Sequence, residues 1–284
     1  MKRIFQIILP AVFALTFTAC DKVEGPYKKD TTGGGGNDTT LVRKVLVEDY
    51  TGHKCGNCPR ASKALYDLKA IYGDRLIIMA VHAGTFATVF PPGAPYYTYD
   101  FRNPTGVELD TDFGISVAGN PNGMVNRREV NGSVIVSSTQ WADEVATVLT
   151  STAPVPASIT IETTYNSVTR ELQADIKTKF FEDLSDAYRL SVYMLEDSIV
   201  NWQKDYDVTP NDVPDYVHRE VLRGSMNGTY GDIVTNTAAG SESDFTFNAT
   251  LGTDWNENKM YILAFLHNDT TREIIQVEQK HVEP

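Results

Sequence analysis

The part of the sequence that decides the fold reads Cys55-Gly56-Asn57-Cys58-Pro59. An apolar run at residues 45–50 precedes it, and an amphipathic run that begins near Arg60 follows it. A strand, a turn with two cysteines and a helix form the layout of a thiol–disulfide site, because a helix start offers unpaired N–H groups and the positive end of the helix dipole to a thiolate. Cys55 is therefore the candidate attacking thiol and Cys58 the candidate resolving thiol.

The residues that follow the motif predict a βαβ unit. Residues 59–72 carry an apolar face at helical spacing, and Gly73 and Asp74 end that run. The run at 76–81 is continuously apolar, as expected for a strand that is buried on both faces. The two strands are predicted to lie parallel and to be joined by a right-handed crossover.

A second signal lies at residues 113–125, where Pro121 directly precedes a short apolar stretch. This stretch predicts a strand that begins after the proline. A helix over 139–150, with its apolar residues on one face, closes the segment. We therefore predict a first α/β domain at residues 41–153.

The order of these elements resembles the thioredoxin fold. The resemblance implies that the peptide bond before Pro121 is cis and that this proline lies beside the cysteine pair, where it shapes a groove for a bound peptide. It also implies a buried acid that moves the proton, and Asp49 matches that position. Glu48 is the alternative, because strand register decides which of the two carboxylates faces the pair. The expected catalytic residues are thus Cys55, Cys58, Asp49 and Pro121.

Other features near the cysteines allow both a functional and a purely structural interpretation. His53 either tunes Cys55 or is a polar loop residue. His82, at the end of the second strand, is either a ligand or a hydrogen-bonded structural histidine. Lys54 either adds a positive charge to the site or is simply a solvated side chain. The aromatic and proline-rich segment 84–105 is either functional or a packed loop that caps the sheet.

From Pro154 onward the sequence alternates between apolar and polar residues. The alternating runs are 158–163, 172–177, 190–194, 245–249, 262–266 and 273–282. About seven short strands with turn signals between them are typical of an immunoglobulin-like β-sandwich, which we predict for residues 154–284. The polar segment 201–231 is expected to form extended loops.

The N-terminal residues have the pattern of an export signal. Two basic residues and a short apolar run end in a small residue followed by Cys20, so residues 1–19 resemble a bacterial lipoprotein signal peptide. The resemblance implies that Cys20 is lipidated and anchors the chain to a membrane. The alternative is ordinary cleavage that leaves Cys20 as an unpaired thiol. The glycine-rich residues 20–40 then form a flexible tether.

Composition narrows the range of partners. The 284 residues carry a net charge of −12, and 42% of them are hydrophobic. This acidic balance argues against nucleic acid as a partner, because binding of phosphates requires clustered lysine and arginine. The glycine run at 33–36 lacks the strand and helix that a phosphate-binding loop needs, so we expect no nucleotide or other cofactor.

The whole arrangement is similar to one bacterial family. The motif that carries this resemblance is Thr51-Gly52-His53-Lys54-Cys55-Gly56-Asn57-Cys58-Pro59. Together with the lipoprotein leader, the tether and the predicted sandwich, it resembles the twenty-eight-kilodalton outer-membrane protein family of Bacteroidota. The resemblance implies an outer-membrane lipoprotein that faces the periplasm or the cell surface, and it implies no settled activity.

Three states of the cysteine pair remain open from the sequence. The first is thiol–disulfide exchange on exported proteins or peptides, which makes the chain an oxidoreductase. The second is a permanent disulfide, since exported cysteines usually oxidise; the chain would then be a surface binding or assembly module. The third is capture of a metal by the cysteines with His53 or His82.

Overall fold

The structure is a computed structural model that describes residues 41–283. The predicted signal peptide (1–19), the tether (20–40) and the lipidation site Cys20 lie outside the described residues. Within 41–283, no helix has the length and apolar character needed to cross a membrane. The described chain is a mixed α/β protein with large sheets and few helices.

Strands far outnumber helices in the described range. The helices are α1 (Cys58–Tyr72), α2 (Pro104–Phe113), α3 (Ile115–Ala118) and α4 (Trp141–Leu149). The strands are β1 (Val45–Thr51), β2 (Leu76–His82), β3 (Asn122–Val125), β4 (Val136–Ser137), β5 (Ala157–Asn166), β6 (Glu171–Phe180), β7 (Tyr188–Glu196), β8 (Ile199–Lys204), β9 (Asp212–His218), β10 (Val221–Ser225), β11 (Asp232–Val234), β12 (Glu242–Thr250), β13 (Met260–Asn268) and β14 (Ile274–His281).

One sheet of nine strands runs through residues 41–283. Its order is β14-β13-β7-β10-β2-β1-β3-β4, with β11 beside β7. The parallel pairing of β1 with β2, predicted from the βαβ pattern, is confirmed. β10 joins the two halves, because Val221 pairs in parallel with Ala80 of β2 and β10 pairs antiparallel with β7. Strands from both predicted domains therefore share one sheet, and the boundary at residue 153 stays a prediction.

Two smaller sheets complete the described chain. β5, β6 and β12 form a three-stranded sheet, and its apolar residues meet those of β7 and β13 in one buried core. β8 and β9 form a separate two-stranded hairpin. The expectation of extended loops at 201–231 was wrong, since this segment contains most of the hairpin and all of β10. The side chains that the hairpin buries are polar, among them Gln203 and His218, so its sequence lacks the aliphatic alternation of an ordinary strand.

Local signals explain how the helices begin and end. α1 begins at Cys58, with Pro59 in its first turn, where a missing N–H costs nothing. It ends at Gly73, which adopts a positive φ of 58°. α2 was not predicted. Its N-cap is Asn103, whose Oδ1 accepts a hydrogen bond from Gly106 N at 2.9 Å while its Nδ2 donates to Leu222 O at 2.7 Å.

The two faces of β1 and β2 pack against different elements. Val47 and Ile78 lie with Leu65 and Trp141 in a cluster beneath α1 and α4. On the opposite face, Leu46, Ile77 and Met79 share a cluster with residues of β7, β13 and β14, including Tyr193, Leu263 and Phe265. The N-terminal strands thus bury much of one face against residues that the chain supplies more than a hundred positions later.

Candidate thiol–disulfide site

The two cysteines form a disulfide at the junction of β1 and α1. Cys55 N donates to Gly52 O at 2.9 Å, and Cys58 N donates to Cys55 O at 3.3 Å, so the motif is a tight turn that leads into the helix. Gly52 is required there, because a Cβ at this position would lie 2.4 Å from the backbone of Phe86. Cys55 is 2% exposed and Cys58 is 1% exposed.

The register of β1 separates the two candidate carboxylates. Asp49 lies on the face of the strand that is turned toward the cysteines, and it lines a cavity of about 20 Å³ together with Cys58. Glu48 lies on the opposite face, where Arg127 Nε approaches its Oε1 at 2.6 Å and both side chains are buried. Of the two carboxylates, Asp49 is therefore the one that faces the cysteine pair.

The Asp49 carboxyl group is buried without compensation. Its Oδ1 has no hydrogen-bond partner among residues 41–283, and the residue is 2% exposed. Desolvation by burial raises the pKa of Asp49 to about 7. A carboxyl group with such a pKa exchanges its proton readily near neutral pH, as a general acid or base must.

His82 belongs to the same cavity and is also uncompensated. Its ring stacks on Phe101 with 4.5 Å between centroids, and neither ring nitrogen has a hydrogen-bond partner in the described part of the chain. The His218 ring lies 5.4 Å away. Burial lowers the pKa of His82 well below its usual value and that of His218 to about 3, so both rings are neutral. His82 is thus not the hydrogen-bonded structural histidine that one interpretation predicted.

His53 is a buried residue of the turn before the cysteines. It is buried, its Nε2 lies 3.1 Å from Thr88 O, and its ring contacts Tyr97 and Phe101. Its pKa is lowered, chiefly by desolvation. The neighbouring Lys54 directs its Nζ to Thr88 Oγ1 at 2.6 Å. Within 41–283, no group of three or more His, Cys, Asp or Glu side chains is arranged to hold a metal ion. The described residues thus contain no cluster of the kind that metal capture by the cysteines would need.

Pro121 lies at the start of β3, and the Asn120–Pro121 bond is cis, as predicted. β3 pairs antiparallel with β1, with Asn122 opposite Tyr50. Since Tyr50 is the second-last residue of β1, this pairing brings Pro121 to the end of the sheet at which β1 leads into the cysteine turn.

The β8–β9 hairpin covers the cysteine turn, which no sequence signal indicated. Lys204 N donates to His53 O at 2.7 Å, and Tyr206 N donates to Gly56 O at 2.9 Å. Gln203 Nε2 donates to Cys55 O at 3.0 Å. These contacts join residues about 150 positions apart, so only a long-range pairing signal would have revealed them.

The aromatic segment 84–105 lies beside both the turn and the hairpin. Phe86 O accepts a hydrogen bond from Lys54 N at 3.1 Å. Tyr97 Oη donates to Asp212 of β9 at 2.6 Å, and the Tyr96 ring lies 5.6 Å from the Trp202 ring of β8. Segment and hairpin together enclose the cysteine turn, so the segment packs against the site and does not extend freely from it.

Comparison with known proteins gives one family and several distant structures. The sequence profile described as outer membrane protein Omp28 matches residues 109–284, which is more than half of the chain. A domain of the outer membrane lipoprotein Omp28 from Porphyromonas gingivalis is 19% identical, covering 47% of this chain and 93% of that one, with a TM-score of 0.33. A protein from Agrobacterium tumefaciens is 14% identical, with coverage of 86% and 96% and a TM-score of 0.46. No curated protein matches the chain.

Proposed function

Because the chain belongs to the Omp28 outer membrane protein family and is an outer-membrane protein, we propose that it carries out thiol–disulfide exchange on exported proteins. The proposal includes a lipid anchor on Cys20. It also includes a thioredoxin-like arrangement of residues 41–153 and an immunoglobulin-like arrangement of 154–284. The parallel β1–α1–β2 unit with its disulfide at the helix start supports the first arrangement, and two sheets packed around one apolar core support the second.

One observation carries the proposal. The Asp49 carboxyl group, with its Oδ1 unpartnered among the described residues, lines the same small cavity as Cys58. A permanent disulfide has no use for a buried carboxyl group, and burying one without a partner costs stability. A resolving thiol does need such a group, because the thiol must lose its proton before it attacks.

The proposed reaction proceeds in two steps. In the reduced protein, the Cys55 thiolate attacks one sulfur of a substrate disulfide, the substrate S–S bond breaks, and the other substrate sulfur leaves as a thiolate. Asp49 then accepts the proton of Cys58, whose thiolate attacks Cys55 Sγ. The Cys55–Cys58 bond forms, the mixed-disulfide bond between Cys55 and the substrate breaks, and the second substrate sulfur leaves as a thiolate. The substrate gains two electrons and the pair loses two, and the same steps in reverse oxidise a dithiol.

The reduction potential of the pair tests this function. The full chain carrying Cys20→Ser is equilibrated in graded thiol and disulfide buffers, and its redox state is read from the mass shift on alkylation. We expect a potential between about −120 and −270 mV, the range of known exchange catalysts. A value below about −300 mV is typical of a structural disulfide and would overturn the proposal. Cys55→Ser should also abolish the reduction of insulin disulfides.

A second function is favoured by the burial of both cysteine residues. At 2% and 1% exposure, Cys55 and Cys58 are covered as in a structural disulfide. The chain would then be a binding or assembly module, and its contacts would be made by the β-sheets of residues 154–284 and by the aromatic segment 84–105. In that case Cys55→Ser lowers the melting temperature and leaves capture of the partner unchanged.

A further inference from the structure

We propose that the β8–β9 hairpin is a movable cover that controls access to the Cys55–Cys58 disulfide. The inference rests on the proposed function for its biological meaning, since it names how exchange at that site would be regulated. The physical claim is narrower. It states that the disulfide reacts when the tip of the hairpin, residues 203–211, moves away from the cysteine turn.

The tip closes the site by direct contact with the turn. Two hydrogen bonds join backbone to backbone, from Lys204 N to His53 O and from Tyr206 N to Gly56 O. The Tyr206 ring lies so close over Gly56 that a Cβ on that glycine would be 2.6 Å from the ring atoms. An attacking thiolate must reach a sulfur atom, and exchange therefore depends on access. The closed tip denies that access.

The tip is held weakly on its outer side. An ion pair between Arg60 of α1 and Asp207 fastens it, but the two side chains are 65% and 46% exposed, and exposed pairs contribute little. Val200 lies opposite Val217 across the hairpin, and both are exposed, so the outer face is open to solvent. Two-stranded hairpins without further pairing are marginally stable on their own.

The base of the hairpin is held much more firmly. His218 is buried against Phe101 with 4.4 Å between ring centroids, and Trp202 contacts Tyr96. The hairpin is bracketed by Ser198 and Glu220, which have positive φ values of 61° and 49°. A cover that is packed at its base, and held at its tip by a few hydrogen bonds and one exposed ion pair, opens by lifting the tip, and the disulfide below is exposed without unfolding the sheet.

Reduction kinetics test the inference with the full chain carrying Cys20→Ser. Reduced thioredoxin is the probe. One of its thiolates attacks the disulfide, the Cys55–Cys58 bond breaks, and two electrons pass to the pair as the probe becomes oxidised. We expect Tyr206→Ala to accelerate this reduction about tenfold, because it removes the ring that lies over Gly56 in the closed state. Asp207→Asn should accelerate it less.

A matched control is available on the same helix. Lys63 and Asp67 of α1 form another exposed ion pair, and neither partner belongs to the hairpin, so Asp67→Asn should leave the reduction rate unchanged. Equal rates for Tyr206→Ala and the parent chain, with equal melting temperatures, would overturn the inference. An acceleration by Asp67→Asn as large as that by Asp207→Asn would overturn it too.

Hydrogen exchange tests the cover without any change at the hairpin. The amide protons of Lys204 and Tyr206 should exchange faster than those of the central strand β13, because local opening of the tip does not require global unfolding. Equal protection at the tip and in β13 would contradict a movable cover.

The exchange function and the movable cover can be tested independently of each other. A reduction potential below about −300 mV, with reduction rates that still depend on Tyr206, would overturn the exchange function but not the cover. A potential in the range of exchange catalysts, with rates that do not depend on Tyr206, would overturn the cover but not the exchange function.

Discussion

Two neighbouring carboxylates, Glu48 and Asp49, meet opposite environments because side chains alternate across a strand. Glu48 is buried beside Arg127, which supplies a positive charge and hydrogen-bond donors. Asp49 is equally buried, yet its Oδ1 has no partner among residues 41–283. The consequence is chemical. Glu48 forms an ion pair within the core, whereas Asp49 holds a carboxyl group that titrates near neutral pH.

The pH dependence of stability should reveal the unpaired carboxyl group. The pKa of Asp49 is about 7 in the folded chain and 3.8 without burial, so the unfolded chain loses its proton first as pH rises. The contribution of Asp49 to stability should therefore fall between about pH 4 and pH 7, a loss that Asp49→Asn avoids. From pH 5 to pH 8, the unfolding free energy of Asp49→Asn should rise relative to wild type by about 3 kcal/mol, measured by denaturant titration.

The comparison isolates one group. His82 and His218 are present in both proteins, so their titration cancels in the difference. The matched control is Asp67→Asn on the exposed face of α1, which should differ from wild type by at most about 0.5 kcal/mol at either pH. Parallel pH curves for wild type and Asp49→Asn would show that burial does not raise the pKa of this carboxyl group.

At the residue scale, the sequence predicted which residues form the site better than it predicted what surrounds each of them. The cysteine pair and the cis bond at Pro121 followed from the motif and its resemblance. The choice between Asp49 and Glu48 depended on strand register, which one sequence does not determine. The burial of His53 and the unpaired ring of His82 depended on Phe101 and Tyr97, whose positions follow from how the aromatic segment folds back.

The cover over the cysteines is an arrangement of two elements, the β1–α1 turn and the β8–β9 hairpin. Their contact depends on Gly56, since a methyl group there would meet the Tyr206 ring at 2.6 Å. A larger residue at position 56 must therefore displace the Tyr206 ring, the turn or both. The absence of a side chain at this position is what allows the two elements to close.

Gly56→Ala should open the site from the side of the turn. The added methyl group displaces Tyr206, so thiol reagents should reduce the disulfide faster, while stability falls by about 1–3 kcal/mol through overpacking. The measurement is a double-mutant cycle with Tyr206→Ala, which removes the ring that the methyl group meets. We expect the loss of stability in Gly56→Ala to be smaller when Tyr206 is already alanine. Additive losses would show that the two residues do not interact.

Elements with strong local patterns were predictable, and elements defined by distant contacts were not. β1, α1 and β2 have apolar runs and clear boundaries. Their ends in the structure differ from the predicted ends by one or two residues at most. α2 was missed, because its Asn103 cap follows directly on an aromatic loop. The hairpin was missed, because its buried residues are polar and one of them, Gln203, bonds to the distant cysteine turn.

At the scale of the whole molecule, the chain is organised around one shared sheet. β10 links β2 to β7, and the cluster beneath β1 and β2 includes Tyr193, Leu263 and Phe265 from later strands. The prediction of two segments matched the sequence pattern well, because the alternation of apolar and polar residues begins after Pro154. It did not reveal that both segments contribute to one core, since periodicity within a strand says nothing about which strand lies beside it.

This shared core predicts cooperative folding. The fragment 41–153 expressed alone should aggregate or lack a cooperative melting transition, because it exposes the apolar face that β7, β13 and β14 cover in the whole chain. The chain 41–284 should instead unfold in a single transition by circular dichroism and by tryptophan fluorescence. A fragment 41–153 that melts cooperatively and stays monomeric would show that the first segment is an independent domain.

The distance along the chain between the cysteines and their cover also has a consequence for biogenesis. Gln203 follows Cys55 by 148 positions. The predicted signal peptide at residues 1–19 implies export with the N-terminus first, so the thiols are expected to emerge into the oxidising periplasm well ahead of the residues that will shield them. Oxidation thus has an early interval in which it needs no conformational opening. In the newly exported chain an oxidant reaches the two thiols directly, whereas in the mature protein a reagent reaches the disulfide only after the hairpin opens. This contrast arises from the order in which the residues emerge.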